Sequence, residues 1–117
     1  MTTEADCLFC RIVAGSIPAD IVHEDDLVVA FRDIAPRAPT HVLLIPRRHI
    51  GSAAELTETD APLLGRLFGV SAELARTLGI ADGGYRLVSN VGRGGGQTVD
   101  HLHVHMMGGR PFDWPPG

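Results

Sequence analysis

The chain has 117 residues, 44% of them hydrophobic, and its 10 basic against 14 acidic side chains give a formal net charge of −4. That length supports one hydrophobic core and not two, and the apolar content is too high for a disordered segment. With no basic block beyond Arg47 and Arg48, duplex nucleic acid and an anionic membrane are excluded as main partners, whereas a phosphate on a small ligand needs only local donors.

The N-terminus, "MTTEADCLFC", carries Glu4 and Asp6 and lacks the apolar core of a signal peptide. No run approaches the roughly 18 apolar residues of a membrane-spanning helix. The expectation is a cytoplasmic protein in which Cys7 and Cys10 stay reduced rather than forming a disulfide. Residues 1–117 read as one domain, with 1–6 a flexible N-terminus and 108–117 an irregular tail.

In chain order, "CLFCRIVA" predicts one or two helical turns, ended by the breaker cluster "GSIP". "IVHED" and "LVVAFRD" read as two strands of a hairpin around Asp25 and Asp26. After the Pro-rich "APRAPT", "HVLLIP" is too apolar for a half-exposed strand and is expected at the sheet centre, covered on both faces and ended by Pro46. The long helix starts after "TETDAP", with Thr59 or Asp60 as cap and Pro62 in the first turn. Leu63, Leu64, Leu67, Phe68, Ser71, Leu74, Ala75 and Leu78 then form one apolar stripe, and Gly79 closes the helix. "YRLVSN" alternates as a strand, "VGRGGGQT" is a glycine-dense loop, and "DHLHVHMM" is a last strand. The pattern predicts an α+β fold: a mostly antiparallel five-stranded sheet with one long helix and a short N-terminal helix.

Half of the six histidines fall on alternate positions of "HLHVHMM". In a strand, His101, His103 and His105 share one face, roughly 7 Å apart, while Leu102, Val104 and Met106 anchor the other in the core. A solvated polar face is the bland alternative, and a metal site is a real rival, because His-x-His on a strand suits two zinc ligands. The catalytic reading rests on an unperturbed pKa of about 6.5, which lets imidazole act as nucleophile or proton carrier near neutral pH. "CLFC" in isolation is ambiguous among a redox pair, half a zinc site and coincidence, with no thioredoxin-like context to favour the first.

"HLHVHMM" resembles the His-φ-His-φ-His-φ-φ signature (φ apolar) of the histidine triad (HIT) family of nucleotide hydrolases and transferases. The segments from "CLFCRIVAGSIP" to "PRRHI", from "GYRLVSN" to "HMMGGR", and the ending "WPPG" are similar to the Hint-type branch, over essentially Cys7 to Gly117. The resemblance implies that His103 is the nucleophile, attacking the α-phosphorus of a nucleotide. It also implies that His105 contacts the phosphate and leaving group, that Thr98 donates near the leaving group, that Asn90 lies near the phosphate, and that His41 supports a proton relay behind the nucleophile. Asp33 would bind the ribose hydroxyls as an acceptor-only group. Phe9, Ile17, Phe31 and Ile34 would form the slot for the base, although core packing explains each of them singly as well.

By the same resemblance, Gly96, Gln97, Thr98 and Val99 form a loop whose backbone N–H groups approach phosphate oxygens. Arg93 reads as a solvated loop residue and His23 as an ordinary strand residue. Cys7, Cys10, His49 and His101 match a Cys₂His₂ zinc site, closed and therefore structural, and no organic cofactor is implied. A homodimer is implied too, in which the tail carries Trp114 toward the partner's pocket. The expected substrates are purine nucleoside 5′-phosphoramidates. The competing expectations are a dinucleoside polyphosphate hydrolase or nucleotidyl transferase, a metal-dependent hydrolase built on the histidine strand, and a nucleotide-binding regulatory module.

Overall fold

The computed structural model describes residues 4–117. Its five strands are β1 (Ile21–Glu24), β2 (Val28–Arg32), β3 (Thr40–Pro46), β4 (Tyr85–Val88) and β5 (Val104–Gly108), in the order β1-β2-β3-β5-β4. Every neighbouring pair is antiparallel. Two helices accompany the sheet, α1 (Leu8–Val13) and α2 (Ala61–Thr77). The expected α+β architecture, with one long helix and one short one, is the one observed. No helix among the described residues is long and apolar enough to cross a membrane. Of the expected flexible N-terminus, Glu4–Asp6 forms a single 3-10 turn, and residues 1–3 lie outside the described residues.

The β1–β2 hairpin is held by Asp25, whose Oδ1 accepts from the amides of Leu27 at 2.8 Å and Val28 at 2.9 Å. Strand β3 is buried along its whole length after Thr40, as its continuous apolar run predicts. Its alternation splits the interior in two. Val42 and Leu44 join Val28, Ala30, Val104 and Met106 beneath α2, while Leu43 and Ile45 join Val29, Phe31 and α1's Phe9 and Ile12. His41 has the parity of Leu43 and therefore points to the α1 side. Leu43 pairs with His105 across β3–β5, so His105 lies on that side too.

Two details differ from the sequence expectation. The buried stripe of α2 is Leu63, Leu67, Val70, Ser71, Leu74 and Ala75. Phe68 is 53% exposed: a helix drifts with its 3.6-residue period, and Val70 rather than Phe68 continues the inward face. Asp60 stands at the expected cap position of α2, but its side chain makes no capping bond to that helix. Thr57 and Asp60 form a capping box at the 3-10 turn Glu58–Asp60 that runs into α2. Gly79, at φ 78°, ends the helix as its left-handed C′ residue, a conformation that costs a glycine little.

Candidate active site

The histidine segment does not run as one strand. The ladder begins only at Val104, and residues 101–103 leave it because their polar groups find other partners. The His101 ring donates from Nε2 to the Pro46 carbonyl at 2.9 Å, and the Leu102 amide donates to the Ile50 carbonyl at 2.6 Å. His101 and His103 therefore do not stand in a regular row with His105. All of 101–104 are nonetheless buried.

His103 donates from Nδ1 to the carbonyl of His101 at 2.7 Å. A carbonyl only accepts, so the neutral ring carries its hydrogen on Nδ1 and keeps a lone pair on Nε2. The Ser89 hydroxyl donates to the carbonyl of His103 itself at 2.9 Å, fixing the backbone from the other side. Ser89 was not singled out from sequence, and its place in "YRLVSN" beside Asn90 was the only signal. Phe9 presents T-shaped contacts to both rings, with centroids 5.9 Å from His101 and 5.2 Å from His103.

His105 has the opposite tautomer. The amide of Arg37 donates to His41 Nδ1 at 3.0 Å, so His41 bears its hydrogen on Nε2. That hydrogen points to His105 Nδ1 at 2.9 Å, which leaves His105 with N–H at Nε2. His41 thus stands directly behind His105, whose ring centroid lies 5.0 Å from that of His103. Asp33 lies on the same nitrogen, its Oδ2 3.5 Å from His41 Nε2. Burial pushes the His105 pKa down to about 4, helped by the neighbouring His103 and His41 and opposed by Asp33. Burial also lowers that of His41, again against the pull of Asp33. Both shifts favour the neutral ring.

A cavity of about 260 Å³ opens at these rings, lined by Phe9, Ile17, Phe31, Asp33, Ile34, Thr98, Val99, His103 and His105, together with Leu8, Ile12, Pro18, Ala19, Arg32 and Leu43. The four residues expected for a base slot all line it, and Ile34 is fully exposed at its rim. His41, Asn90, Gly96 and Gln97 do not line it. Asn90 instead donates from Nδ2 to the Gly95 carbonyl at 2.7 Å and braces the glycine loop. The amides of Gly96 and Gln97 are committed within that loop, to the carbonyls of Arg93 and Gly92, each at 3.0 Å. Gln97 Nε2 donates to the carbonyls of Gly51 at 2.7 Å and Val99 at 2.9 Å, making this side chain a brace as well. Of the four loop residues, Thr98 and Val99 are the ones that line the cavity. Local sequence could not show this, since the internal bonding of a glycine loop depends on its folded shape. Trp114 lies outside the cavity and is 85% exposed, while the tail before it is held by Arg86, which donates to the Asp113 carbonyl at 2.7 Å. His23 is bonded to Asp25 Oδ2 at 2.6 Å, away from the site.

The fourth feature is a closed cluster. Cys7 caps α1, which turns Cys7 and Cys10 toward one point. Cys7 Sγ is 3.3 Å and Cys10 Sγ 3.5 Å from His101 Nδ1, and Cys10 Sγ is 3.2 Å from His49 Nδ1. All four ligand atoms fall within 4.8 Å of one another. A tetrahedron with metal–sulfur bonds near 2.3 Å and metal–nitrogen bonds near 2.05 Å has S···N edges of about 3.5 Å, which the three S···N separations above approach. The bond from His101 Nε2 to Pro46 fixes the tautomer that leaves Nδ1 free for such an ion, the usual support for a metal-binding histidine.

A HIT domain model matches residues 14–112 of the chain. A purine nucleoside phosphoramidase of Escherichia coli is 48% identical over 107 residues, covering 92% of this chain and 90% of that one. An uncharacterised HIT-like protein of Synechococcus elongatus is 50% identical over 112 residues, covering 96% and 97%. Among solved structures, a HIT family hydrolase from Legionella pneumophila superposes with a TM-score of 0.93 at 50% identity, covering 95% of this chain and 99% of that one.

Proposed function

The chain belongs to the HIT family, and from that premise we propose that it is a hydrolase of purine nucleoside 5′-phosphoramidates with His103 as nucleophile. The observation that carries the reading is the 2.7 Å bond from His103 Nδ1 to the His101 carbonyl, which leaves the Nε2 lone pair of a cavity-lining imidazole as the attacking atom. Nε2 bonds to the α-phosphorus as the P–N bond breaks, and the departing nitrogen takes up a proton to leave as amine. Water then attacks the same phosphorus, the N–P bond breaks, and the nucleoside monophosphate leaves with the imidazole restored. His105, with N–H at Nε2, donates to the phosphoryl group or the leaving nitrogen. The amides and hydroxyl of Thr98 and Val99 serve the developing charge, and Asp33 at the cavity wall takes the sugar hydroxyls. The E. coli relative's name supports the substrate class.

We assign zinc to Cys7, Cys10, His49 and His101, a set of two sulfurs and two imidazoles with no open position, and therefore a structural ion tying α1 to the histidine segment. This geometry weighs against the catalytic-metal reading: the His101 ring belongs to the cysteine cluster while His103 belongs to neither ligand group, so the three imidazoles do not converge on one ion. The single HIT domain, the cytoplasmic location and a homodimer belong to the same reading. The exposed Phe68 on α2 and the outer position of β4 in the sheet support the dimer, and sedimentation equilibrium checks it.

The test is release of AMP from an adenosine 5′-phosphoramidate by wild type and by His103→Ala, each with and without a zinc chelator. Turnover that survives chelation of a still-folded protein and disappears in the variant is the expected result. Turnover lost with the metal alone would move the chemistry to a metal-dependent hydrolase. Wild-type binding of AMP with no turnover on any phosphoramidate would leave a regulatory module, and preferential cleavage of dinucleoside polyphosphates would name the alternative substrate.

A further inference from the structure

Asp33 is placed to do more than line the cavity. Its Oδ1 accepts from the Ala35 amide at 2.8 Å, and its backbone amide donates to the His41 carbonyl at 3.0 Å. These bonds hold the other carboxylate oxygen 3.5 Å from His41 Nε2. Asp33, His41 and His105 have their polar atoms within 4.8 Å of one another, and the His41 side chain is only 3% exposed against 19% for Asp33. The carboxylate therefore acts on a ring from which water is almost excluded.

Imidazole has two neutral tautomers, and the surroundings choose between them. With hydrogen on Nδ1, His41 would set that hydrogen against the Arg37 N–H and its Nε2 lone pair against a carboxylate oxygen. With hydrogen on Nε2, it accepts from Arg37, donates to His105, and keeps an N–H rather than a lone pair beside the Asp33 carboxylate. Arg37 and Asp33 thus select the same form from opposite ends of the ring. That selection passes to the next ring: His105 accepts at Nδ1 and must present N–H from Nε2.

We propose that Asp33 is a positioning residue for the reaction, holding His41 in the tautomer that makes His105 a hydrogen donor toward the cavity, independently of any contact Asp33 makes with the sugar. The inference rests on the proposed hydrolase reading, with His105 serving the transferred phosphoryl group. The charge of Asp33 also acts in the upward direction on the pKa of both rings.

Asp33→Asn separates the two roles. The amide keeps the Oδ1 acceptor for Ala35 but turns one arm into a donor that can face a bare Nε2, so selection of the tautomer is left to the Arg37 amide alone. Kinetics are compared on adenosine 5′-phosphoramidate and on its 2′,3′-dideoxy counterpart, which offers Asp33 no hydroxyl. The variant should lose about tenfold in kcat on both, a part of the 10²–10⁴-fold or so that a positioned proton donor contributes. Wild-type kcat on the dideoxy substrate would overturn the proposal and leave Asp33 a sugar ligand only. In a His41→Asn background the same substitution should cost nothing further in kcat on the dideoxy substrate, and a full additional loss would overturn it as well. Nitrogen-15 shifts of the imidazoles give a substrate-free readout. His41 should be the Nε2–H form in wild type and a mixture in Asp33→Asn, and unchanged populations would sink the idea. No turnover by wild type on any phosphoramidate would defeat the hydrolase reading and leave this last arm to decide the tautomer claim.

Discussion

Two clusters of nearly the same chemistry lie back to back in this protein. One, Cys7, Cys10, His49 and His101, is closed; the other, His103, His105, His41 and Asp33, opens onto a cavity. They are separated by a single residue in sequence and share a backbone carbonyl, that of His101, which accepts from His103. The difference between them comes from which ring nitrogen is already spent. His101 spends Nε2 on Pro46 and turns Nδ1 toward the sulfurs, whereas His103 spends Nδ1 on a carbonyl and keeps Nε2 for the cavity. In the proposed reading, identical side chains acquire a structural or a chemical task from one hydrogen bond each.

If the division is real, substitutions in the two clusters should fail in opposite ways. His103→Ala should lose at least ~10⁴-fold in turnover while retaining bound metal and a thermal midpoint near that of wild type. Cys7→Ala with Cys10→Ala should lose the metal and lower the midpoint by ~10 °C or more, because a closed site contributes its binding free energy to folding. Metal analysis, calorimetry and turnover on the same samples check both. Unaltered stability in the cysteine variant, or metal loss in His103→Ala, would collapse the two clusters into one.

Acid should sharpen the contrast from the stability side. The groups facing His105 are His103, His41 and Asp33. The folded pKa of His105 is lowered from 6.5 to about 4, so the unfolded chain binds its proton first as pH falls. The stability it contributes is complete above about 6.5 and lost between there and about 4, and His41 shifts the same way. The carboxylates behave differently. Asp25 is held well below its usual range although burial acts upward, because bonds with His23, Leu27, Val28 and Arg66 outweigh it. Asp60 is lowered by the Thr57 amide and by Arg48. Both contribute fully until pH falls to their unfolded value of 3.8. Chemical unfolding followed from pH 7.5 to 4.5 should therefore show a decline that His105→Gln flattens and Asp25→Asn does not.

How much of this was legible in the sequence depends on whether local pattern or distant partners decided it. The unbroken apolar run of β3 and the helix after "TETDAP" each encode their own burial, and the structure follows them. The departure of His101 and His103 from the ladder was not legible, because it depends on the Pro46 and Ile50 carbonyls, 55 and 52 positions away from their partners. The commitment of the Gly96 and Gln97 amides was hidden for a related reason: glycines permit many loop shapes, and only the folded one decides which donors remain. Phe68 looked like part of the α2 stripe because spacings of three and four tolerate two adjacent faces, and only packing against the sheet chooses Val70.

The smallest expected effect bears on whether the clusters communicate. Phe9 is the one side chain that lies edge-on to both His101 and His103 among the described residues, and its own helix carries Cys10 and starts from the Cys7 cap. It also packs against Phe31 with ring centroids 5.5 Å apart. Phe9→Leu keeps an apolar group there but removes the ring, at a cost of about 1 kcal/mol in aromatic contact. If α1 passes the order of the closed cluster to the nucleophile through this ring, kcat should fall a few-fold with metal content unchanged, and removing the metal from the variant should then cost little more. If Phe9 is only a cavity wall, KM should rise alone and metal removal should affect the variant as it affects wild type. The distinction rests on the split between kcat and KM, which loss of packing alone does not produce in that pattern.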